Sequence, residues 1–184
     1  MRLLNDRRSY GAAAIALHWL SAVVIAGMFG LGYWMVDLDY YSAWYNRAPD
    51  IHKSVGILFV FVYLVRVALR LATPAPEPAR DPGGWEAIAS RAVHRLFYVL
   101  IACLVCAGYL ISTADGRPVS VFGWFEVPAT ITSIPEQEDR AGEIHWYLAL
   151  TIVILAGLHA AAALKHHFVD RDATLSRMLG RRQD

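Results

Sequence analysis

A chain of 184 residues with 57% apolar side chains, 18% charged ones and a mean hydropathy of +0.37 exceeds the roughly 45–50% apolar content of soluble domains. The length suits one domain, and a net charge of +1 excludes a strongly basic nucleic-acid surface. The apolar surplus is clustered in four windows, 12–36, 51–72, 92–113 and 143–166, each long enough to cross about 30 Å of hydrocarbon as a helix. The composition predicts an all-α integral membrane protein, a bundle of four transmembrane helices forming one domain over 1–184.

A short polar tail, 1–11, precedes the first span, which is too long and too poor in a small-residue cleavage site to be a removable signal. That span carries His18 near its start, then Gly27, Gly30 and Gly32, and ends in an aromatic belt from Tyr33-Trp34 to Trp44-Tyr45. The second opens on His52-Lys53-Ser54-Val55-Gly56 and leaves through Arg66 and Arg70. Thr73-Pro74-Ala75-Pro76-Glu77-Pro78 cannot stay helical, because its prolines remove amide donors and restrict the residues before them. The third span holds His94 near one end and Cys103 and Cys106 mid-span, where small buried apolar residues are the expected role. The long connection 114–142 contains Val121 to Pro128, read as an apolar cap, and a solvated acidic run from Glu136 to Asp139.

Charge sets the orientation. With four spans both termini share a side, and that side holds 13 Lys and Arg residues: Arg2, Arg7, Arg8, Arg66, Arg70, Arg80, Arg91, Arg95, Lys165, Arg171, Arg177, Arg181 and Arg182. The other side holds Arg47, Lys53, Arg117 and Arg140 alone, with nine acids against the seven that accompany the first set. The positive-inside rule places both termini in the cytoplasm.

The chemistry lies in the depth of the histidines, since ionisable groups within spans mark sites by default. His145 and His159 are 14 residues apart on the last span, about 21 Å along the axis and roughly 40° short of four whole turns, so both leave one helix face. His52 matches the depth of His145 near the outer surface, and His18 that of His159 near the inner one. Two such pairs suit two stacked haems with bis-histidine iron: His52 and His145 on the outer iron, His18 and His159 on the inner. The haems would be b type, because Cys103-Leu-Val-Cys106 is followed by Ala107 where covalent attachment needs histidine. Gly56 and Gly157 would let backbone approach a flat ring. His94 lies at inner-haem depth and competes as a ligand; the reading favours a propionate or quinone contact. Arg66 and Arg70 either snorkel to lipid phosphates or neutralise propionates. His166 and His167 fall at the membrane interface.

The chain resembles the prokaryotic cytochrome b561 family of four-helix dihaem membrane cytochromes. The residues that carry the likeness are His18-Trp19, His52-Lys53-Ser54-Val55-Gly56, Arg66, Arg70, Phe122-Gly123, and the tail from Gly157-Leu158-His159 through His166-His167 to Asp172-Ala173-Thr174-Leu175-Ser176-Arg177-Met178. That tail looks close to the stand-alone superoxide oxidases of enteric bacteria. The resemblance implies the same four axial histidines. It also implies superoxide:ubiquinone oxidoreductase activity, with superoxide oxidised at the periplasmic face and ubiquinone as electron acceptor. An anion needs positive steering, for which Lys53 and Arg47, with Arg117 or Arg140, would have to gather at the outer haem edge. The alternative is a haem-bearing anchor subunit that passes electrons from a docked iron–sulfur dehydrogenase or hydrogenase to quinone. A structural or transport bundle would leave the four paired histidines unexplained.

Overall fold

In hydrocarbon every backbone amide and carbonyl needs a partner inside its own segment, and an apolar run of 20 or more residues meets that need only as a helix. The computed structural model describes residues 2–7, 9–78 and 84–180. In it the long helices are α1 (Ala12–Met35), α2 (Arg47–Ala72), α3 (Trp85–Ser112) and α4 (Gln137–Phe168), followed by a short α5 (Thr174–Met178). Among the described residues, four helices are long and apolar enough to cross a membrane. Side chains along them, such as Val23 (68% exposed), Leu158 (64%) and Leu71 (82%), face outward, an arrangement suited to lipid rather than water. Arg8, Arg80, Arg181 and Arg182 of the basic set lie outside the described residues.

Two helices begin well before their apolar windows. α3 starts at Trp85 rather than 92, and α4 at Gln137 rather than 143. Hydropathy locates the stretch in hydrocarbon, whereas the helix extends as far as its first turn is favourable. In α4 that turn carries Glu138 and Asp139, which face the positive end of the helix dipole. In α2 the first turn holds Pro49, tolerated where no intrahelical amide bond is needed, and Asp50. At its far end Thr73 donates its hydroxyl to Leu69 O at 2.7 Å, and Pro74 follows.

The stretch read as an apolar cap is a β-hairpin, so the all-α expectation needs that correction. β1 (Val119–Val121) pairs antiparallel with β2 (Phe125–Val127), Val119 opposite Val127 and Val121 opposite Phe125. Val119 and Val121 are 3% and 0% exposed while Ser120 faces out, the period-2 alternation that apolar-run counting overlooks. The turn has positive φ at Phe122 (50°) and Gly123 (72°), and Trp124 N donates to Val121 O at 2.9 Å. Left-handed backbone costs a non-glycine residue about 1–2 kcal/mol, so Phe122 is held there by something else. The buried Ser54 of α2 supplies it: its hydroxyl accepts from Phe122 N at 3.1 Å and donates to Ser120 O at 3.4 Å.

The chain separates into two compact units. One comprises Met1–Ala22, Val62–Tyr98 and Ile154–Asp184; the other comprises Val23–Phe61 and Val99–Val153. The first is knitted by polar bonds between distant segments. Trp19 Nε1 donates to Met178 O at 2.8 Å, Arg177 Nη1 to Glu77 O at 2.7 Å, and Asn5 Nδ2 to Thr73 Oγ1 at 3.2 Å. The second contains the hairpin and an aromatic stack of Phe29 on Trp146, with centroids 6.0 Å apart.

Candidate functional site

Each unit holds one opposed pair of imidazoles. In the second unit His52 of α2 faces His145 of α4, with ring centroids 6.2 Å apart and planes at 68°. In the first, His18 of α1 faces His159 of α4 at 6.3 Å and 65°. All four rings are partly buried. Glycines back two of them. A Cβ on Gly32 would stand 3.1 Å from His52 Cε1, and one on Gly108 would stand 3.1 Å from His145 Cε1 and 3.3 Å from Nδ1.

The sequence reading missed Gly32 and Gly108 as ring supports; a small residue at matching depth on a neighbouring helix is the signal that could have found them. Gly56 faces only Met28 Cε, at an ordinary 3.7 Å, and nothing lies within 4 Å of a Cβ on Gly157.

The surroundings of Nδ1 differ from histidine to histidine. His145 Nδ1 donates to Leu104 O at 3.1 Å, which leaves Nε2 with a free lone pair, the usual arrangement of a metal ligand. His52 Nδ1 is buried without a hydrogen-bond partner among the described residues. His18 Nδ1 lies 3.1 Å from Arg66 Nη2; a guanidinium only donates, so this nitrogen accepts. Among the described residues no carboxylate lies within ion-pair distance of Arg66, whose guanidinium otherwise rests 5.9 Å from the Tyr98 ring centre. Arg70 is exposed.

His94 joins the first unit's cluster. Its ring lies 5.3 Å from that of His159 at 88°, and its Nδ1 donates to Ser90 O at 2.6 Å. Phe97 closes on His159 at 5.9 Å. His166 was assigned to the interface; its Nδ1 lies 2.8 Å from Asp172 Oδ2 and 3.1 Å from Asp170 Oδ2. Cys103 and Cys106 depart from expectation. Both free thiols are exposed and line an apolar cavity of about 430 Å³ with Ala107, Leu110 and Ile144.

Three of the four basic residues of the second unit pair with carboxylates close by in sequence. Lys53 Nζ pairs with Asp50 at 3.1 Å, Arg117 Nε with Asp115 at 2.6 Å, and Arg140 Nη2 with Glu136 at 2.9 Å. Arg47, at the exposed start of α2, has no ion pair among the described residues.

These sites fit a metal held between facing imidazoles. Two metal–nitrogen bonds of about 2.0 Å, with each ring centre about 1.1 Å behind its nitrogen, place two imidazole centroids roughly 6.2 Å apart. The pairs stand at 6.2 and 6.3 Å. A flat macrocycle suits the glycine-backed rings, because a ring pressed against backbone cannot swing away.

A family model described as prokaryotic cytochrome b561 matches residues 9–181. Cytochrome b561 homolog 2 of Escherichia coli K12 is 48% identical over 181 residues, 98% of this chain and 96% of that one. Cytochrome b561 homolog 1 of the same organism is 26% identical over 178 residues, 95% of this chain and 98% of its own. The probable superoxide oxidase CybB of Yersinia pestis is 26% identical over 181 residues, 96% of this chain and 98% of its own, so that likeness is the more distant one. The chain belongs to the prokaryotic cytochrome b561 family, membrane electron-transfer proteins whose prosthetic group is a b-type haem.

Proposed function

We propose that the chain is a four-helix dihaem cytochrome b of the bacterial inner membrane, with both termini cytoplasmic, that oxidises superoxide on the periplasmic side and reduces ubiquinone. His52 with His145 would hold the outer haem and His18 with His159 the inner one. The observation that carries the reading is the repeated imidazole spacing, 6.2 and 6.3 Å, in two separate units. Haem bound at these positions supplies reversible one-electron ferric–ferrous chemistry.

The chain's own residues do the rest. Leu104 O fixes the His145 ring and its tautomer, and Gly32 and Gly108 hold two rings against backbone. Arg66 is a half-buried cation without a carboxylate partner among the described residues, a natural counter-ion for a haem propionate. Held by His52 and His145, the haem would supply one-electron transfer, which superoxide can undergo without binding the metal. Two superoxides become two O2, and one quinone takes two electrons and two protons, drawn from the cytoplasmic side. Stopped-flow mixing of purified protein with superoxide tests this. Haem reduction should outrun spontaneous dismutation, and a ratio of two haems per chain should accompany it; slower reduction would remove the oxidase reading.

One observation favours the second reading, an anchor subunit fed by a docked iron–sulfur protein. Three of the four cations proposed to steer superoxide are already paired with carboxylates. Recovery of a stoichiometric iron–sulfur protein with the cytochrome, together with superoxide-independent haem reduction by it, would establish that reading instead.

A further inference from the structure

The first unit brings three imidazoles together where an axial pair needs two. The His159 ring lies 6.3 Å from that of His18 and 5.3 Å from that of His94, the latter almost edge-on at 88°. The bonds on the remote nitrogens rank the two partners unexpectedly. His94 Nδ1 donates to Ser90 O, one helical turn back on α3, at 2.6 Å. That bond fixes the tautomer with the Nε2 lone pair free and orients the ring, as the outer bond of a metal-bound histidine does. His18 Nδ1 instead accepts from Arg66, which in a neutral ring puts the proton on Nε2, the nitrogen that should face iron. Ligation by His18 therefore requires Arg66 to turn away, whereas His94 is already set in a ligand's tautomer. Spacing ranks them the other way: 6.3 Å spans a metal, and 5.3 Å falls about 1 Å short of the roughly 6.2 Å that trans ligation needs.

We propose that His94 is a reserve axial ligand: when His18 is lost or its ring is held by Arg66, His94 takes the position opposite His159, and the site keeps a bis-histidine haem. The bonds at issue are one nitrogen–iron bond broken and one formed, with no change in oxidation state. His94 is exposed at its place on α3, so its ring can shift by about 1 Å through side-chain torsion without repacking a core. This inference rests on the proposed haem pairs.

The test uses the full-length protein purified in detergent, with haem:protein ratio and low-temperature electron paramagnetic resonance as readouts. Wild type should hold two haems per chain, both low-spin. His18→Leu should still hold two, the second remaining low-spin. His94→Ala alone should also hold two. The double variant His18→Leu/His94→Ala should fall to one haem or show a high-spin second haem, and His159→Ala, which removes the shared partner, should fall to one. The haem between His52 and His145 reports folding in every variant. If His18→Leu loses its second haem, or leaves it high-spin like the double variant, the reserve-ligand proposal fails while the haem pairs stand. A wild type with one haem would instead overturn the pairs themselves.

Discussion

Gly108→Ala isolates the fit between backbone and ring, because its side effects run the other way. In a helix interior alanine is favoured over glycine by about 0.5–1 kcal/mol, so the substitution strengthens α3 taken alone. The added methyl, however, would lie 3.1 Å from His145 Cε1 and 3.3 Å from Nδ1. Unbonded carbons rest at about 3.5–4.0 Å, so the ring must retreat by roughly half an ångström. It can do so by leaving its rotamer, at about 0.5–1.5 kcal/mol. It can also stretch the 3.1 Å bond to Leu104 O, whose loss costs a further 0.5–1.5 kcal/mol or so. Together these are about 1–3 kcal/mol, or a five- to 150-fold weaker hold on the haem proposed between His52 and His145, in the range found when a supporting contact of a metal ligand is lost. The assay is haem transfer to excess apomyoglobin, with the haem proposed between His18 and His159 as the internal reference. A release rate from the proposed His52–His145 site unchanged within twofold, in a variant of equal or greater thermal stability, would refute the role given to Gly108.

His52→Ala and His145→Ala should each lower the haem:protein ratio from two to one and remove the same spectral component; loss of different components would show that the two residues do not share an iron. Ser54→Ala leaves Phe122 N without its partner, costing about 1–3 kcal/mol locally. The hairpin amides should then exchange at least fivefold faster by hydrogen–deuterium mass spectrometry while haem content stays unchanged. Asp50→Asn frees Lys53 from its 3.1 Å pair and should raise the rate of reduction by superoxide up to about twofold at low salt, measured by stopped flow; a slower rate would count against electrostatic steering.

The four spans were legible because lipid imposes a length and a composition that few other environments demand. That the rings of His52 and His145, and those of His18 and His159, lie close together was legible for a related reason: helix rise turns residue number into relative height. Sideways relations were not. Nothing in the order of residues says that Gly32 and Gly108 stand behind the rings of His52 and His145, since azimuth depends on how helices rotate against one another. His94 was expected level with His159, but its contact with that ring and its bond to Ser90 depend on side-chain direction. The hairpin escaped because three-residue strands, Val119–Val121 and Phe125–Val127, are too short for alternation to stand out beside a run of aromatics. Charge was legible as a count and misleading as a field, because Asp50, Asp115 and Glu136 lie beside the cations they cancel.

That cancellation bears on the choice between a superoxide donor and a protein donor. Arg47 is five residues ahead of His52, about 7.5 Å along the helix axis, so its charge acts on an incoming anion from roughly 10 Å. One unit charge at that distance in water is worth about 0.7 RT, a factor of about two in encounter rate, and 0.1 M salt screens most of it. Superoxide oxidation should therefore depend on ionic strength by less than about twofold between 10 and 200 mM salt, with any high rate arising from an accessible haem edge rather than from a funnel. A docked protein meets the whole surface instead, where the second unit and its loops carry nine acids against four bases. A partner presenting a basic face would feel many charges at once, and its electron delivery should fall tenfold or more over the same range. A steep salt dependence in the reaction with superoxide itself would contradict the paired cations and require a positive field that these residues do not provide.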